Sequence, residues 1–549
     1  MRELRLNQCV SIAAALSVVL FIIAGGVLTA AGQIAVTTYH YDNNRTGWNP
    51  NETVLTPSNV NKASFGLLHS IALDDQVDGQ PLFVPGVVIT AGQYQGTTHD
   101  VVYVATEGNT VFAIDAHNGA VLLNPNFGKP VPNPLGCNNN GPNVGVNSTP
   151  VIDLSSNTLY VMVYSQSGST QSYNLHALDL GSLTDKVSPQ LVTASHTLTN
   201  GKTYTFMAKY QRERPALLLA NGSVYGGFGS FCDLSANLSR GWLLGWTAGT
   251  LAPFPSNQLI DQQGTDSGSF FLSSIWMSGY GLATDDSGNI LFVTGNSDAN
   301  TYDGVTNIQE SAMKVSSTLT TVLDLFTPDD QVALDEEDGD FGSGGLLVLP
   351  DQPGSTPHLA VAAGKDGNMY FMNEDNLGGY SPNQNNVLGT YQIGGCWCGQ
   401  SYFTDADGTG RVVASGGSSI ILYQVQTSPK PALKFLKGSL NLPGSQNPGF
   451  FTSVSSNGTS NPIIWALSHP TGNGKNPINL YAFDPEAGKS NMKKLYSKTA
   501  GFWPNTGGNS NLVPVVANGQ VYVASNKVLE IFGLTGGKAK AQKKGSQGQ

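Results

Sequence analysis

The chain is short of charge. Asp, Glu, Lys and Arg make up 12% of its 549 residues, about half the usual globular share. The acids outnumber the bases and leave a net charge of −11. A chain with so few cations has no basic face for phosphate backbones, which excludes nucleic acid as a partner. Long helical periodicity is absent while glycine is plentiful at 65 residues, and together these point to tight-turned all-β structure. No Gly-x-Ser-x-Gly elbow occurs, and none of the eight histidines forms a His-x-x-x-His pair. Serine-hydrolase and zincin chemistry are therefore not indicated. Cys-x-x-Cys-His is also missing, so no c-type haem is expected.

Long apolar runs are scarce as well. One alone could reach across a bilayer, at residues 10–28, after Met-Arg-Glu-Leu-Arg and before Thr29-Ala30-Ala31-Gly32. That is the order of a secretory signal, and residues 1–31 are read as one. The run is also long enough to remain as an uncleaved anchor. Either way the chain is expected to be exported, to a periplasm or the outside. Cys9 precedes the run without the context of a lipid-modified cysteine. Four cysteines then remain, Cys137, Cys232, Cys396 and Cys398. In an oxidising compartment they can form two disulfides whose connectivity is not readable from sequence. A Cys-x-Cys bridge between Cys396 and Cys398 is expected to be strained. The stretch 536–549 is basic and reads as a structureless tail.

What the chain does have is repetition. Eight times an apolar strand closes in a polar, often Asp- and Gly-containing turn. The phrases are VFAIDAHNGA (111–120), LHALDLGSL (175–183), LLGWTAGTL (243–251), AMKVSSTL (312–319), MYFMNEDNLGG (369–379), ILYQVQTS (421–428), LYAFDPEAG (480–488) and LEIFGLTGG (529–537). A small strand unit cannot bury both its faces alone, whereas radial stacking buries them. The predicted fold is a single eight-bladed β-propeller of four-stranded antiparallel blades over 32–535. Asn518-Gly519 reads as a hairpin turn, and Asp405-Ala-Asp407-Gly as a Gly-rich turn. The segment 37–68 is expected to add a strand to the last blade and close the ring. Longer excursions at 298–309 and 328–341 mark where binding chemistry would sit.

The segment YDNNRTGWNPNETVLTPSNVNKASFG (41–66), ahead of eight such units, resembles the N-terminal segment of quinoprotein alcohol dehydrogenases. The resemblance implies a propeller holding pyrroloquinoline quinone (PQQ) and Ca²⁺ in its central funnel. SSIWMSGYGLATDDSGNILFVTGNS (273–297) is similar to the family's Trp-containing strand followed by Thr-Gly-Asn-Pro. It places Trp276 against the quinone face and Asn296 as an amide ligand of Ca²⁺. DEEDGDFGSGG (335–345) occupies the place of the family's Trp-Asp-Tyr-x-Gly, which makes Asp340 the catalytic base. Asp335, Glu336, Glu337 and Asp338 read as a solvated acidic loop. Lys365, in AAGKDGN (362–368), falls on the cation over the quinone oxygens. Asp233 lies near the family's Ca²⁺-chelating Glu, one methylene shorter.

The chain departs from the family in lacking its two adjacent cysteines; Cys137 alone stands near that place and is the cofactor-facing candidate. The resemblance implies a small-molecule alcohol substrate and an external electron acceptor. The alternative from a different class is a non-catalytic propeller that binds envelope proteins or a polymer.

Overall fold

Each of the eight repeated phrases folds into the third strand of an antiparallel sheet. In chain order these strands are Val111–Asp115, Thr170–Asp179, Trp242–Thr247, Ala312–Val315, Asn368–Asn373, Ile421–Gln426 and Pro477–Asp484, the eighth being the C-terminal half of Gln520–Leu534. The sheets form an eight-bladed β-propeller with four-stranded blades. Val111–Asp115 is buried along its whole length, because neighbouring blades cover both its faces. The outermost strands meet water: Lys493–Phe502 carries exposed Lys493, Lys494 and Lys498 beside buried Tyr496 and Ala500.

The computed structural model describes residues 33–137, 141–264, 270–444, 446–472, 476–505 and 510–536. The chain divides into two units, Met1–Gly32 and Gln33–Gln549. The first, which holds the expected signal segment 1–31 and Cys9, lies outside the described residues, as does the tail from 537 on. Among the described residues no helix is long and apolar enough to cross a membrane.

Two local expectations are met. Ala517 pairs with Gln520 across Asn518-Gly519, and both turn residues have positive φ, 51° and 82°, as a type I′ hairpin demands. Asp405 and Asp407 sit in the turn between Ser401–Thr404 and Gly410–Ala414, where both bind Arg411 at 2.8 Å.

Ring closure differs from the expectation. The strand added to the last blade is Phe65–Gln76, antiparallel to the end of Gln520–Leu534, so only the last residues of 37–68 take part. Phe65 anchors it, its ring 4.9 Å from Tyr496 and 5.6 Å from Trp465. The preceding stretch, 36–52, instead circles one end of the central channel and touches the blades in order. Val36 N–H donates to Phe83 O (2.7 Å), and Ile152 N–H to Thr37 O (2.8 Å). Asn43 Nδ2 donates to Leu219 O (2.9 Å). Backbone N–H groups of Thr284, Val348, Tyr402 and Val454 then donate to the carbonyls of Asn43, Asn44, Thr46 and Gly47 at 2.7–3.0 Å. Asn49 Nδ2 finally reaches Val516 O at 3.0 Å.

Arg45 fixes this loop at the axis. It is 0% exposed and donates to Leu282 O (2.7 Å), Thr38 Oγ1 (2.7 Å), Tyr39 O (2.9 Å), Asp42 O (3.1 Å) and Leu217 O (3.4 Å). Tyr280 Oη donates to Arg45 O at 2.8 Å, and Gly345 and Gly399 flank its ring where any Cβ would overlap it. This end of the channel is plugged, which leaves a funnel at the other.

Candidate functional site

The segments that lead into the innermost strands, and the loops between second and third strands, open at the end opposite the plug. The sequence candidates lie on these. Trp276 precedes the turn Met277–Gly279 that leads into Ala283–Thr284, and Asn296 follows Ile290–Val293. Asp340 precedes the turn Phe341–Ser343 ahead of Leu346–Val348, and Lys365 follows Leu359–Ala363.

Four of the candidates converge. Asp340 is 3% exposed; its Oδ1 accepts the Asn296 N–H at 2.9 Å and its Oδ2 accepts Lys365 Nζ at 2.6 Å. The same ammonium lies 5.7 Å from the Trp276 ring centroid, a cation–π distance. Asn296 Nδ2 donates to Asp338 Oδ1 at 3.3 Å. Burial opposes the charge on Lys365, yet Asp340 and Asp338 outweigh it and lift the ammonium above the ordinary lysine range.

The acidic stretch before Asp340 is largely solvated, as expected from sequence, but it is helical rather than a loop and Asp335 is drawn inward. Residues Gln331–Glu337 form a helix; Glu336, Glu337 and Asp338 are exposed, but Asp335 turns inward, and Asp338 reaches the site from the rim. Asp335 accepts from Ser297 N–H at 3.0 Å and from Gln309 Nε2 at 2.6 Å. Burial, with a smaller push from Asp340, raises its carboxyl to about 7. Asp338 caps the helix in the left-handed region (φ 55°) and accepts Lys365 Nζ at 2.9 Å.

Asp233 stands at the rim, exposed, with Oδ1 accepting from Ser230 Oγ at 2.7 Å. Desolvation by the surrounding loops, then the charges of Asp340 and Asp338, raise it to about 6. Cys137 is bonded to Cys232, next to Asp233, and ties the loop before blade 2 to blade 3 across a sequence separation of 95. It is buried among Val131, Val144 and Phe231.

Three participants escaped the sequence reading. Cys396 and Cys398 close on each other, Cα–Cα 5.0 Å, rather than pairing elsewhere. The short loop presents Trp397, whose ring meets Trp276 edge-on at 4.9 Å and lies 5.0 Å from Lys365 Nζ. Glu310 is 0% exposed and accepts Phe341 N–H at 2.6 Å, holding the turn after Asp340. Burial, then Asp340 and Asp335, keep its carboxyl well above the usual range. Arg214 lies against Gly279, just behind Trp276. Only Trp397 had a signal in the sequence, its position between two cysteines.

Compared with solved structures, the chain matches the quinohemoprotein alcohol dehydrogenase of Comamonas testosteroni with a TM-score of 0.58 at 13% identity, over 95% of this chain and 83% of that one. It matches the quinohemoprotein alcohol dehydrogenase ADHIIG of Pseudomonas putida HK5 with a TM-score of 0.58 at 14% identity, over 94% and 82%. The chain has the fold of the quinohemoprotein alcohol dehydrogenases. No protein-family model matches the sequence, and no curated protein does. At such identity the likeness carries the fold and leaves the chemistry to the site.

The site suits a planar quinone: two partly exposed indoles, a lysine for oxygen charge and a carboxylate stand together. Ca²⁺ takes about six to eight oxygens. Among the described residues no group of three or more His, Cys, Asp or Glu is placed to hold a metal ion. A Ca²⁺ ion here would need oxygens beyond such side chains, from amide or backbone carbonyls, a ligand or water.

Proposed function

We propose that this chain is an exported quinoprotein-type dehydrogenase that oxidises an alcohol or related small molecule and hands the electrons to an external acceptor. The observation that supports it is the convergence of Trp276, Asn296, Asp340 and Lys365 on one funnel, bonded through Asp340. PQQ, when bound, supplies the two-electron acceptor.

The residues divide the work by their chemistry. Trp276 offers a flat apolar face to a fused-ring ligand. Lys365 brings a fixed positive charge to where negative charge grows on a carbonyl oxygen, in a site that is largely desolvated. Asp340 is the proton acceptor for a substrate hydroxyl; the Asn296 N–H and the Lys365 ammonium fix its plane, so no reorganisation is needed at the moment of transfer. Asn296, through its amide oxygen, and Asp233 would be the chain's donors toward a Ca²⁺ ion, which would supply positive charge to the site. Glu310 and Asp338 position Asp340 and Lys365 and touch no substrate in this reading.

The test is reconstitution of purified protein with PQQ and Ca²⁺, followed by dye-linked turnover across alcohols and aldehydes. Saturable, quinone-dependent dye reduction supports the proposal. Tight quinone binding with no turnover on any substrate would leave a binding propeller instead.

A further inference from the structure

The net charge implied no basic face, yet one stretch is locally basic. Residues 430–498 hold eight lysines and no arginine, with Asp484 and Glu486 as their only acids, in a chain whose balance is −11. The stretch builds the outer wall of blades 6 and 7. Ala432–Gly438 and Lys493–Phe502 are the fourth strands of those blades. Met492 N–H donates to Gly438 O at 2.9 Å, so the first strand runs on into the second. Lys437 Nζ ties the two blades further, donating to the carbonyls of Pro485 (2.9 Å) and Glu486 (3.0 Å). Lys430, Lys434, Lys489, Lys493, Lys494 and Lys498 are all exposed. Among the described residues the ion-paired lysines are Lys314 and Lys365, so the charges of these six stand open.

Apolar groups share this wall. Phe435 is 58% exposed, Leu440 62% and Phe502 41%, and these two are the exposed phenylalanines among the described residues. Between the strands opens a cavity of about 310 Å³ whose lining includes Leu440, Leu442, Tyr481, Phe483, Met492 and Lys494. Lys494 Nζ lies 5.8 Å from the Tyr481 ring centroid, so a cation stands directly over the aromatic floor. Open aromatic and aliphatic side chains beside unpaired lysines suit an interface that offers anions and hydrocarbon together. Arginine, the residue of choice for nucleic-acid recognition, is absent from the stretch.

We propose that the outer wall of blades 6 and 7 docks on an anionic lipid bilayer, its lysines against the headgroups and Phe435, Leu440 and Phe502 in the acyl boundary. Each lysine near an anionic membrane surface strengthens binding about fivefold, and that attraction is screened by salt. The apolar side chains supply the second, salt-insensitive part of the attachment. No residue of the funnel takes part, so the inference stands apart from the quinone reading.

The test is flotation of the full chain with vesicles of phosphatidylcholine alone and of phosphatidylcholine with phosphatidylglycerol, at low and high salt. Wild type is compared with K494E/K498E and F435S/L440S, with circular dichroism and the thermal midpoint as folding checks. All three carry the same N-terminal apolar run, so differences among them report the wall. Wild type should prefer the phosphatidylglycerol vesicles and lose that preference in high salt. K494E/K498E should bind them about tenfold or more weakly. F435S/L440S should also bind more weakly while keeping the salt dependence. Equal binding of wild type to both vesicles, or undiminished binding by either folded variant, overturns the proposal. Duplex DNA bound as tightly as the anionic vesicles would overturn it too, making the wall a general polyanion site.

Discussion

Lys365 Nζ lies 2.6 Å from Asp340 Oδ2, and the same nitrogen stands over both Trp276 and Trp397 at 5.7 and 5.0 Å. One ammonium thus joins the proton acceptor to the aromatic walls. Asp340→Asn keeps the shape and removes the base, so turnover should fall by about 10²–10⁴-fold while PQQ affinity changes little. Dye-linked kinetics beside a quinone titration checks this. Unaltered turnover would remove Asp340 from the mechanism.

Arg45 gives the sharpest stability prediction. Arg45→Met strips hydrogen bonds from four carbonyls and one hydroxyl at the axis. Each acceptor left buried and unmet costs about 1–3 kcal/mol, so a loss of at least about 4 kcal/mol is expected in urea unfolding. A loss below about 1 kcal/mol would mean that the 36–52 loop does not brace the ring.

The two disulfides should behave differently. Cys137–Cys232 closes a loop with a sequence separation of 95, for which chain entropy gives about 4.7 kcal/mol, while the three-residue Cys396–Cys398 loop gives about 1.6 kcal/mol. C137A/C232A should therefore lower the unfolding free energy clearly more than C396A/C398A. The second pair should instead free Trp397 from Trp276, seen as a change in tryptophan fluorescence. Equal stability losses and an unchanged spectrum would contradict this.

Stability should depend on pH through Glu213. It is 1% exposed with Oε1 unpartnered, and burial raises its carboxyl from 4.5 to about 8. Between these values the folded state keeps a proton that the unfolded state has released. The contribution is most favourable below about 4.5 and declines as pH rises toward 8, by about 1.4 kcal/mol per pH unit. Glu213→Gln, neutral throughout, should remove that slope, so the variant gains on wild type between pH 5 and 8. Parallel stability curves for the two proteins would refute the assignment.

The propeller was legible because its third strands are buried on both faces, which forces apolar runs such as VFAI and LYAF to recur before a polar turn. Asn518-Gly519 was legible because a two-residue hairpin requires two positive φ values. The role of 36–52 was hidden: its carbonyls bond to separate inner strands, and such long-range bonds leave no period in the sequence. Asp335 looked solvated because charge density was visible and the helix that turns it inward was not, whereas Asp338 is exposed as read.

The most direct measurement of the central claim is equilibrium titration of the purified chain with PQQ in the presence of Ca²⁺, reading quinone absorbance and the thermal midpoint together. The account expects saturable binding and a midpoint that climbs with ligand concentration, as linkage requires for a ligand of the folded state. A flat absorbance and an unmoved midpoint at high quinone would contradict it and leave the funnel to another kind of ligand.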